Sequence, residues 1–287
     1  MINGKTRVCG VFGCPVEHTL SPAIHNTLAR ETGIDLVYVP FHVEPENVEA
    51  AVKGAYALNL LGVNVTVPHK SAVIPYLKEV DPEAAMIGAV NTLMRVPGGY
   101  KGYNTDLPGL YRALLSEGIQ IEGEQILLLG AGGAARAAAF LCALKGAQRV
   151  YLLNRSLEKA VAVAEEVNRS CGRECVQPMA LEGWRELAGG RFLAIQGTSV
   201  GLAPDTERAV IEDSAFYELI HTGFDLVYRP AETKFMRLVR QAGGRACNGL
   251  KMLLYQGVEA YELWNGCRVE EETAAVCYDR LCRELEA

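Results

Sequence analysis

The chain has no apolar stretch approaching the ~20 residues that a bilayer span requires, so no membrane helix is expected. It has no cluster of Lys and Arg that would track a phosphate backbone, and a formal net charge of −6 argues further against a nucleic-acid partner. Paired CxxC spacing is missing: nine cysteines, an odd number, are scattered at Cys9, Cys14, Cys142, Cys171, Cys175, Cys247, Cys267, Cys277 and Cys282. That usage reads as reduced, mostly packed thiols and excludes a disulfide framework. The five histidines (His18, His25, His42, His69 and His221) make no HxxxH pair, so no metal is expected. The opening segment MINGKTRVCGVFG runs from its charges straight into a strand-like stretch, unlike a secretory signal, and gives the expectation of a cytoplasmic protein. No internal repeat, low-complexity run or long linker stands out.

What remains is a 287-residue chain, 49% hydrophobic and 22% charged, long enough for two domains with separate cores. Apolar runs of strand length alternate with longer segments of helical period, the pattern of an α/β fold with mainly parallel sheets. Strands are expected at Val8 to Gly13, Leu36 to Phe41, Val63 to Val67, Gln125 to Leu129, Val150 to Leu153, Phe192 to Gln196 and Phe224 to Val227. Between the third and fourth, AVNTLMRVPGGYKGYNTD reads as a β-hairpin about Pro97-Gly98-Gly99. A domain boundary is expected near Asp106, giving a first domain over 1–106 and a second over 107–246. The stretches CNGLKMLLYQGVEAYELW and VEEETAAVCYDRLCRELEA, within 247–287, read as two helices with no strand between them. They cannot extend a βαβ sheet and are expected to pack back on the first domain.

In QILLLGAGGAARAAAFLCALKGA an apolar strand meets Gly130, Ala131, Gly132, Gly133 and Ala134, then an alanine-rich helix. A pyrophosphate site needs that order: a tight turn, backbone without side chains, and free N–H groups at a helix N-terminus. An ordinary strand-to-helix turn is the alternative. The flanking strand and helix, and Ala135 at the third fingerprint position, favour the nucleotide. The next strand, RVYLLNRS, ends in Asn154, Arg155 and Ser156 with Lys159 a turn further on. An NAD site usually carries an acid there, whereas a small polar residue with cations suits the 2′-phosphate of NADP. The competing reading of Arg155 and Lys159 is a solvated helix start, where cations oppose the macrodipole.

In GVNVTVPHK, Val63, Val65 and Val67 fall on one strand face and Asn64 and Thr66 on the other, with Lys70 just beyond. A strand end is where an enzyme can hold a side chain steadily over a cleft. In EHTLSPAIHNTLARETG, Ser21 before Pro22 is equally the ordinary start of a helix, and Asp106 before Leu107-Pro108 is another. Asn91 serves as well as a turn residue, and Lys70 as a surface charge. A hairpin centred on Gly98, however, sets Asn91 opposite Thr105 and so beside Asp106. One cleft then gathers the Lys70 ammonium, the Asp106 carboxylate, the Asn91 amide and the hydroxyls of Thr19 and Ser21. That set suits a small polyhydroxylated acid, with the ammonium to deliver a proton.

The motifs HTLSPAIHN, NVTVPHK, GAVNTL, YNTDLPGL, GAGGAARA, NRS, GTSVGL, YRPAETKF and NGLKMLLYQGVEAYELW, in this order and nearly this spacing, resemble those of the shikimate dehydrogenase family from about Val8 to Trp264. The resemblance implies an N-terminal α/β substrate domain and a Rossmann-type doubly wound NADP-binding domain, with the C-terminal helices returning to the first. It implies NADPH-dependent reduction of 3-dehydroshikimate to shikimate by a monomer or homodimer acting on a small molecule. Lys70 matches the family's catalytic lysine and Asp106 its partner. Thr19, Ser21, Thr66, Asn91, Tyr228 and Gln256 match substrate contacts, and Leu226 and Gly249 are placed near the nicotinamide. The family commonly has Ser-x-Ser where this chain has Thr19-Leu20-Ser21, which keeps a dual quinate/shikimate enzyme in play. A regulatory module that only binds NADPH should have lost Lys70 or Asp106, and both are present.

Overall fold

Short β-branched runs broken by Gly and Pro form the strands of the first unit. The computed structural model describes residues 2–187 and 190–286 and separates into two units. One comprises the chain up to Gly109 together with the stretch from Leu253 onward, the other Leu110–Met252. The first unit runs β1 (Arg7–Gly13), α1 (Ser21–Thr32), β2 (Leu36–His42), α2 (Val48–Ala57), β3 (Gly62–Val65), β4 (Glu79–Val80), α3 (Pro82–Ile87), β5 (Thr92–Val96), β6 (Gly99–Tyr103) and the start of α4 (Asp106–Ser116). Its sheet has the order β2-β1-β3-β5-β6-β4. β1 pairs parallel with β2 and β3, whereas β5 runs antiparallel to β3 and β6, so this sheet is mixed. Phe12, Val52, Val63, Val65, Leu93 and Tyr100 share one core beneath it.

Two expectations are corrected here. The third strand stops at Val65, and Val67 leaves the valine face and is 67% exposed. The Thr66 amide still reaches Phe12 O at 2.9 Å, but Pro68 has no N–H to continue the ladder, and the chain turns through His69 N to Thr66 O at 2.9 Å. In the hairpin, Thr92 pairs with Tyr103 and Val96 with Gly99, so its centre lies between Pro97 and Gly98. Extended by one residue, that register sets Asn91 against Asn104 and not Thr105.

The second unit runs β7 (Gln125–Leu129), α5 (Gly133–Leu144), β8 (Arg149–Asn154), α6 (Leu157–Cys171), β9 (Val176–Ala180), β10 (Phe192–Gln196), α7 (Ser214–Glu218), β11 (Ile220–Asp225), α8 (Lys234–Gln241) and β12 (Arg245–Cys247). The sheet order β12-β11-β10-β7-β8-β9, parallel at every pairing, is the doubly wound dinucleotide-binding order, with its switch point between β7 and β10. A sheet covered on both faces explains the unbroken apolar run Ile126 to Leu129, all fully buried.

The strand expected at Phe224 to Val227 is Ile220–Asp225 instead, because the Asp225 carboxylate accepts from Val227 N at 2.9 Å and turns the chain out of the sheet. Cys247, expected in a helix, ends β12. The helix α9 (Leu250–Asn265) begins after Asn248, whose side chain accepts from Leu250 N at 3.1 Å. From Leu253 on, α9 and α10 (Glu271–Glu286) belong to the first unit. There the Trp264 indole donates to Leu93 O at 2.9 Å, and a Cβ on Gly62 would enter the Trp264 ring. Tyr261 Oη lies 2.6 Å from Thr32 Oγ1 at the end of α1.

Candidate active site

Lys70 follows the turn that Pro68 forces, and its backbone is fastened on both sides. Val90 N donates to Lys70 O at 2.8 Å, and the buried His69 ring meets Val43 O through Nε2 at 2.7 Å. From that support Lys70 Nζ donates to Asp106 Oδ2 at 2.6 Å, with the side chains 32% and 19% exposed. The pair is open enough to meet a ligand and dry enough to interact strongly.

Asp106 does not cap its helix. Asn104 does so, its side-chain oxygen accepting from Asp106 N at 3.1 Å and Leu107 N at 3.3 Å. The Asp106 carboxylate is thereby left for other work, and its second oxygen accepts from Asn91 Nδ2 at 2.9 Å. Asn91 is almost fully buried and cannot flip. Its carbonyl oxygen accepts from Thr105 N at 2.7 Å and from the hydroxyls of Thr92 at 3.0 Å and Thr105 at 3.2 Å. Behind it, Asn64 donates to Thr92 Oγ1 at 3.0 Å and accepts from the Tyr38 hydroxyl at 2.8 Å. A chain of side chains thus runs from the interior to Lys70, each orienting the next.

Thr19 Oγ1 donates to Ser21 Oγ at 3.2 Å, and both residues are half-buried. Ser21 is the first helical residue of α1 and makes no cap, since the cap position is Leu20 with no side-chain bond, so the helix-start reading of its hydroxyl is set aside. Thr66 is half-buried, its methyl against Gly13. Gln256 sits on α9, and a Cβ on Gly109 would lie 2.5 Å from its backbone nitrogen, so only glycine lets this part of α9 approach the first turn of α4 beside Asp106. His69 and Gly109 escape sequence reasoning because each acts on a residue of another element, and Asn104 because it and Asp106 are equally good caps for the helix that follows.

In the second unit, Gly130 has φ of 107° and leads into α5, and a Cβ there would lie 2.7 Å from Thr198 Cγ2. At Gly132 and Gly133 a Cβ would meet nothing within 4 Å. The loop from Ala131 to Ala134 is largely exposed, and the helix start it leads into carries no side-chain cap and no acid in its first turn. The buried Ala135 packs against Gly197, where a Cβ would lie 2.8 Å away, which draws α5 close to the end of β10. A cavity of about 420 Å³ beside this loop is lined by Gly130, Asn154, Arg155, Thr198, Ser199 and Arg208 among others. Arg155 and Lys159 are exposed, and neither pairs with a carboxylate among the described residues. Ser156 caps α6, accepting from Lys159 N at 3.4 Å, and Glu158 supplies the anion at that helix start, 2.8 Å from Ser156 Oγ. Arg155 and Lys159 are therefore left facing solvent. Two guanidiniums, an amide and hydroxyls around an open glycine turn fit a phosphorylated dinucleotide. Arg208 and Thr198 were missed because they come from a different loop.

Leu226, half-buried, donates its N–H to Gln196 O at 2.9 Å, and Gly249 N donates to Val227 O at 3.1 Å. A Cβ on Gly249 would collide with Leu226 O. Tyr228 follows on the same segment, half-buried, with burial holding its phenol above the usual range. The buried Asp225 accepts from Thr233 Oγ1 at 2.6 Å and Gln196 Nε2 at 3.1 Å, yet burial pushes its carboxyl up to about 6.

Known families match three stretches of this chain. Residues 11–93 match the shikimate dehydrogenase substrate binding domain, 113–178 shikimate / quinate 5-dehydrogenase, and 249–274 the shikimate 5′-dehydrogenase C-terminal domain. A shikimate dehydrogenase (NADP(+)) of Methanothermobacter thermautotrophicus is 46% identical over 273 residues, 93% of each chain. That of Desulforamulus reducens is 44% identical over 273 residues, 92% of each. A shikimate dehydrogenase solved in complex with NADP+ superposes with a TM-score of 0.88 at 36% identity, covering 97% of this chain and 96% of its own.

Proposed function

The chain belongs to the shikimate dehydrogenase family, and we propose that its first unit holds the substrate through Thr19, Ser21, Thr66, Asn91, Asp106 and Gln256, with Lys70 and Asp106 as the catalytic pair. The reaction is the reversible NADPH-dependent reduction of 3-dehydroshikimate to shikimate. The observation that carries the reading is the 2.6 Å contact of Lys70 with Asp106, whose other oxygen is held by Asn91.

NADPH, when bound, supplies the hydride that reduces the C3 carbonyl. Lys70 gives a proton to the oxygen that gains charge at C3, and Asp106 orients the ammonium and accepts from a neighbouring substrate hydroxyl. Asn91 fixes Asp106, so the geometry of the proton donor is set before substrate arrives. Gly130, Ala131, Gly132, Gly133 and Ala134 would hold the pyrophosphate through backbone N–H groups. Asn154, Arg155, Ser156 and Lys159 would hold the 2′-phosphate. Tyr228, Leu226 and Gly249 keep the roles that the family resemblance gives them, as substrate and nicotinamide contacts.

We further propose a cytoplasmic location, supported by cysteines that are all free, and a monomer or homodimer, which light scattering would distinguish. Assays with shikimate and quinate, each against NADP and NAD, test the assignment. Shikimate with NADP should give the highest kcat/KM. Comparable kcat/KM for both acids would move the assignment to a dual-substrate enzyme, and nucleotide binding without turnover to a regulatory module.

A further inference from the structure

Among the described residues, one trio of metal-ligating side chains that includes neither Lys70 nor Asp106 converges. β1 and β2 are parallel neighbours in a register that sets Gly13 against His42. The residue after Gly13 is Cys14, and two residues after His42 is Glu44, so the ends of two strands bring a thiol, an imidazole and a carboxylate to one place. Cys14 Sγ lies 3.5 Å from His42 Nε2 and 3.4 Å from a Glu44 oxygen, and His42 Nε2 lies 3.0 Å from the other Glu44 oxygen. All three ligand atoms fall within 4.8 Å of one another.

The spacing is near what a tetrahedral ion needs once Glu44 turns one oxygen toward it. Bonds of about 2.3 Å to sulfur and about 2.0–2.1 Å to nitrogen and oxygen put neighbouring donor atoms roughly 3.3–3.6 Å apart. The opposite ring nitrogen, His42 Nδ1, lies 3.4 Å from Glu17 Oε1. A carboxylate on the far side of a ligating imidazole favours the tautomer with Nδ1 protonated, and an ion at Nε2 would take the place of the hydrogen bond that Nε2 makes with Glu44. The backbone supports the same corner: Cys14 N donates to Val67 O at 3.2 Å and Val43 N to Gly13 O at 3.1 Å. The side chains of His42, Glu44 and Glu17 are 42%, 51% and 62% exposed, so an ion has access.

We propose that Cys14, His42 and Glu44 bind one divalent transition ion of the zinc class, with Glu17 as the outer carboxylate on His42 and a fourth position left to water. The thiol, imidazole and carboxylate set suits zinc or cobalt and not magnesium or calcium, which prefer oxygen alone. The proposal is independent of the reading of the substrate site, since none of the four residues is placed in it.

The experiment uses the whole chain, stripped with chelator and titrated with Zn2+ or Co2+. The unmodified protein should take up one ion tightly, and its melting temperature should rise with Zn2+. Its Co2+ form should show a thiolate-to-metal charge-transfer band and the intense visible absorption of four-coordinate cobalt. Cys14→Ser keeps the other eight cysteines and should lose the charge-transfer band, and His42→Gln should lose tight uptake. Glu17→Gln should keep the spectrum and weaken binding by about 10- to 100-fold. Circular dichroism and dehydrogenase activity of the metal-free variants, which should match the parent, show that they fold, and Glu44→Gln is a second ligand variant at an exposed position. No stoichiometric uptake, or uptake and spectrum unchanged in Cys14→Ser, would mean a hydrogen-bonded cluster only and overturn the proposal.

Discussion

The substrate side and the nucleotide side of this chain are built on opposite plans. Around Lys70 the polar groups are joined in a chain: Lys70 to Asp106, Asp106 to Asn91, Asn91 to Thr105 and Thr92. Around Gly132, the useful features are open space, free backbone, and the exposed Arg155 and Lys159, which meet no carboxylate among the described residues. The first arrangement fixes a proton donor in position before any ligand comes. The second leaves charge uncompensated so that the ligand's own phosphates complete it. Preorganisation serves the chemical step in one case and selection of the cofactor in the other.

The contrast breaks first at Lys70. Lys70→Ala should lower kcat by about 10²–10⁴-fold with a smaller change in substrate KM. Steady-state kinetics check it, and near-parental turnover would make Lys70 a surface charge. On the open side, Arg155→Ala removes a charge-assisted contact of about 1.5–3 kcal/mol. KM for NADP should rise roughly 10- to 150-fold while NAD changes little. Equal weakening of both cofactors would show that Arg155 shapes the loop without reading the phosphate. A finer probe is Thr19→Ser. Quinate carries an extra hydroxyl on the carbon that bears the carboxylate, and if the Thr19 methyl occupies that space, its removal should raise kcat/KM for quinate about 10-fold. Shikimate should stay within a factor of a few.

The two units also differ in their buried titratable groups, and the signs oppose. His25 is fully buried, stacked on Tyr38 at 4.2 Å with neither ring nitrogen hydrogen-bonded, and burial pulls it down to about 3 from 6.5. The unfolded chain therefore binds the extra proton between pH 6.5 and 3. The first unit keeps this contribution above 6.5 and loses it on acidification. Asp225 is raised from 3.8 to about 6, so the folded chain binds the extra proton between those values, and the second unit loses stability as pH rises through that window. Each group contributes a slope of at most about 1.4 kcal/mol per pH unit. Urea denaturation from pH 4 to 7 should show His25→Phe less acid-sensitive than the parent. Asp225→Asn should lack the loss between 4 and 6. Slopes identical to the parent would remove the respective group from the account.

Much of this was legible in the chain itself. Strand cores such as Ile126 to Leu129 and Phe192 to Ile195 declare themselves by unbroken apolar runs, and the glycine loop by its order. The proximity of Asn91 to Asp106 followed from hairpin geometry, although the register was off by one, because the turn closes between Pro97 and Gly98. The cap is a choice between two neighbours, Asn104 and Asp106, that the sequence leaves open. What is set by partners distant in sequence cannot be read at all: Gly109 matters only because α9 lies across it. The short strands β4 and β12 carry too few residues to show a period, and Pro178 breaks the pattern of β9. Cys14 and His42 are 28 positions apart, and only the β1–β2 register makes them neighbours.

One consequence follows from the stretch beyond Leu253 joining the unit that begins the chain. Trp264, keyed over Gly62 and bonded to Leu93, is the last buried aromatic of that unit to leave the ribosome, and Leu281 follows it. The second unit is continuous and can close as soon as it emerges. The first must hold its exposed sheet face while the whole of Leu110–Met252 is translated, a delay of roughly 7–30 seconds at about 5–20 residues per second. Vectorial synthesis thus reverses the order of the domains: the one made first is finished last.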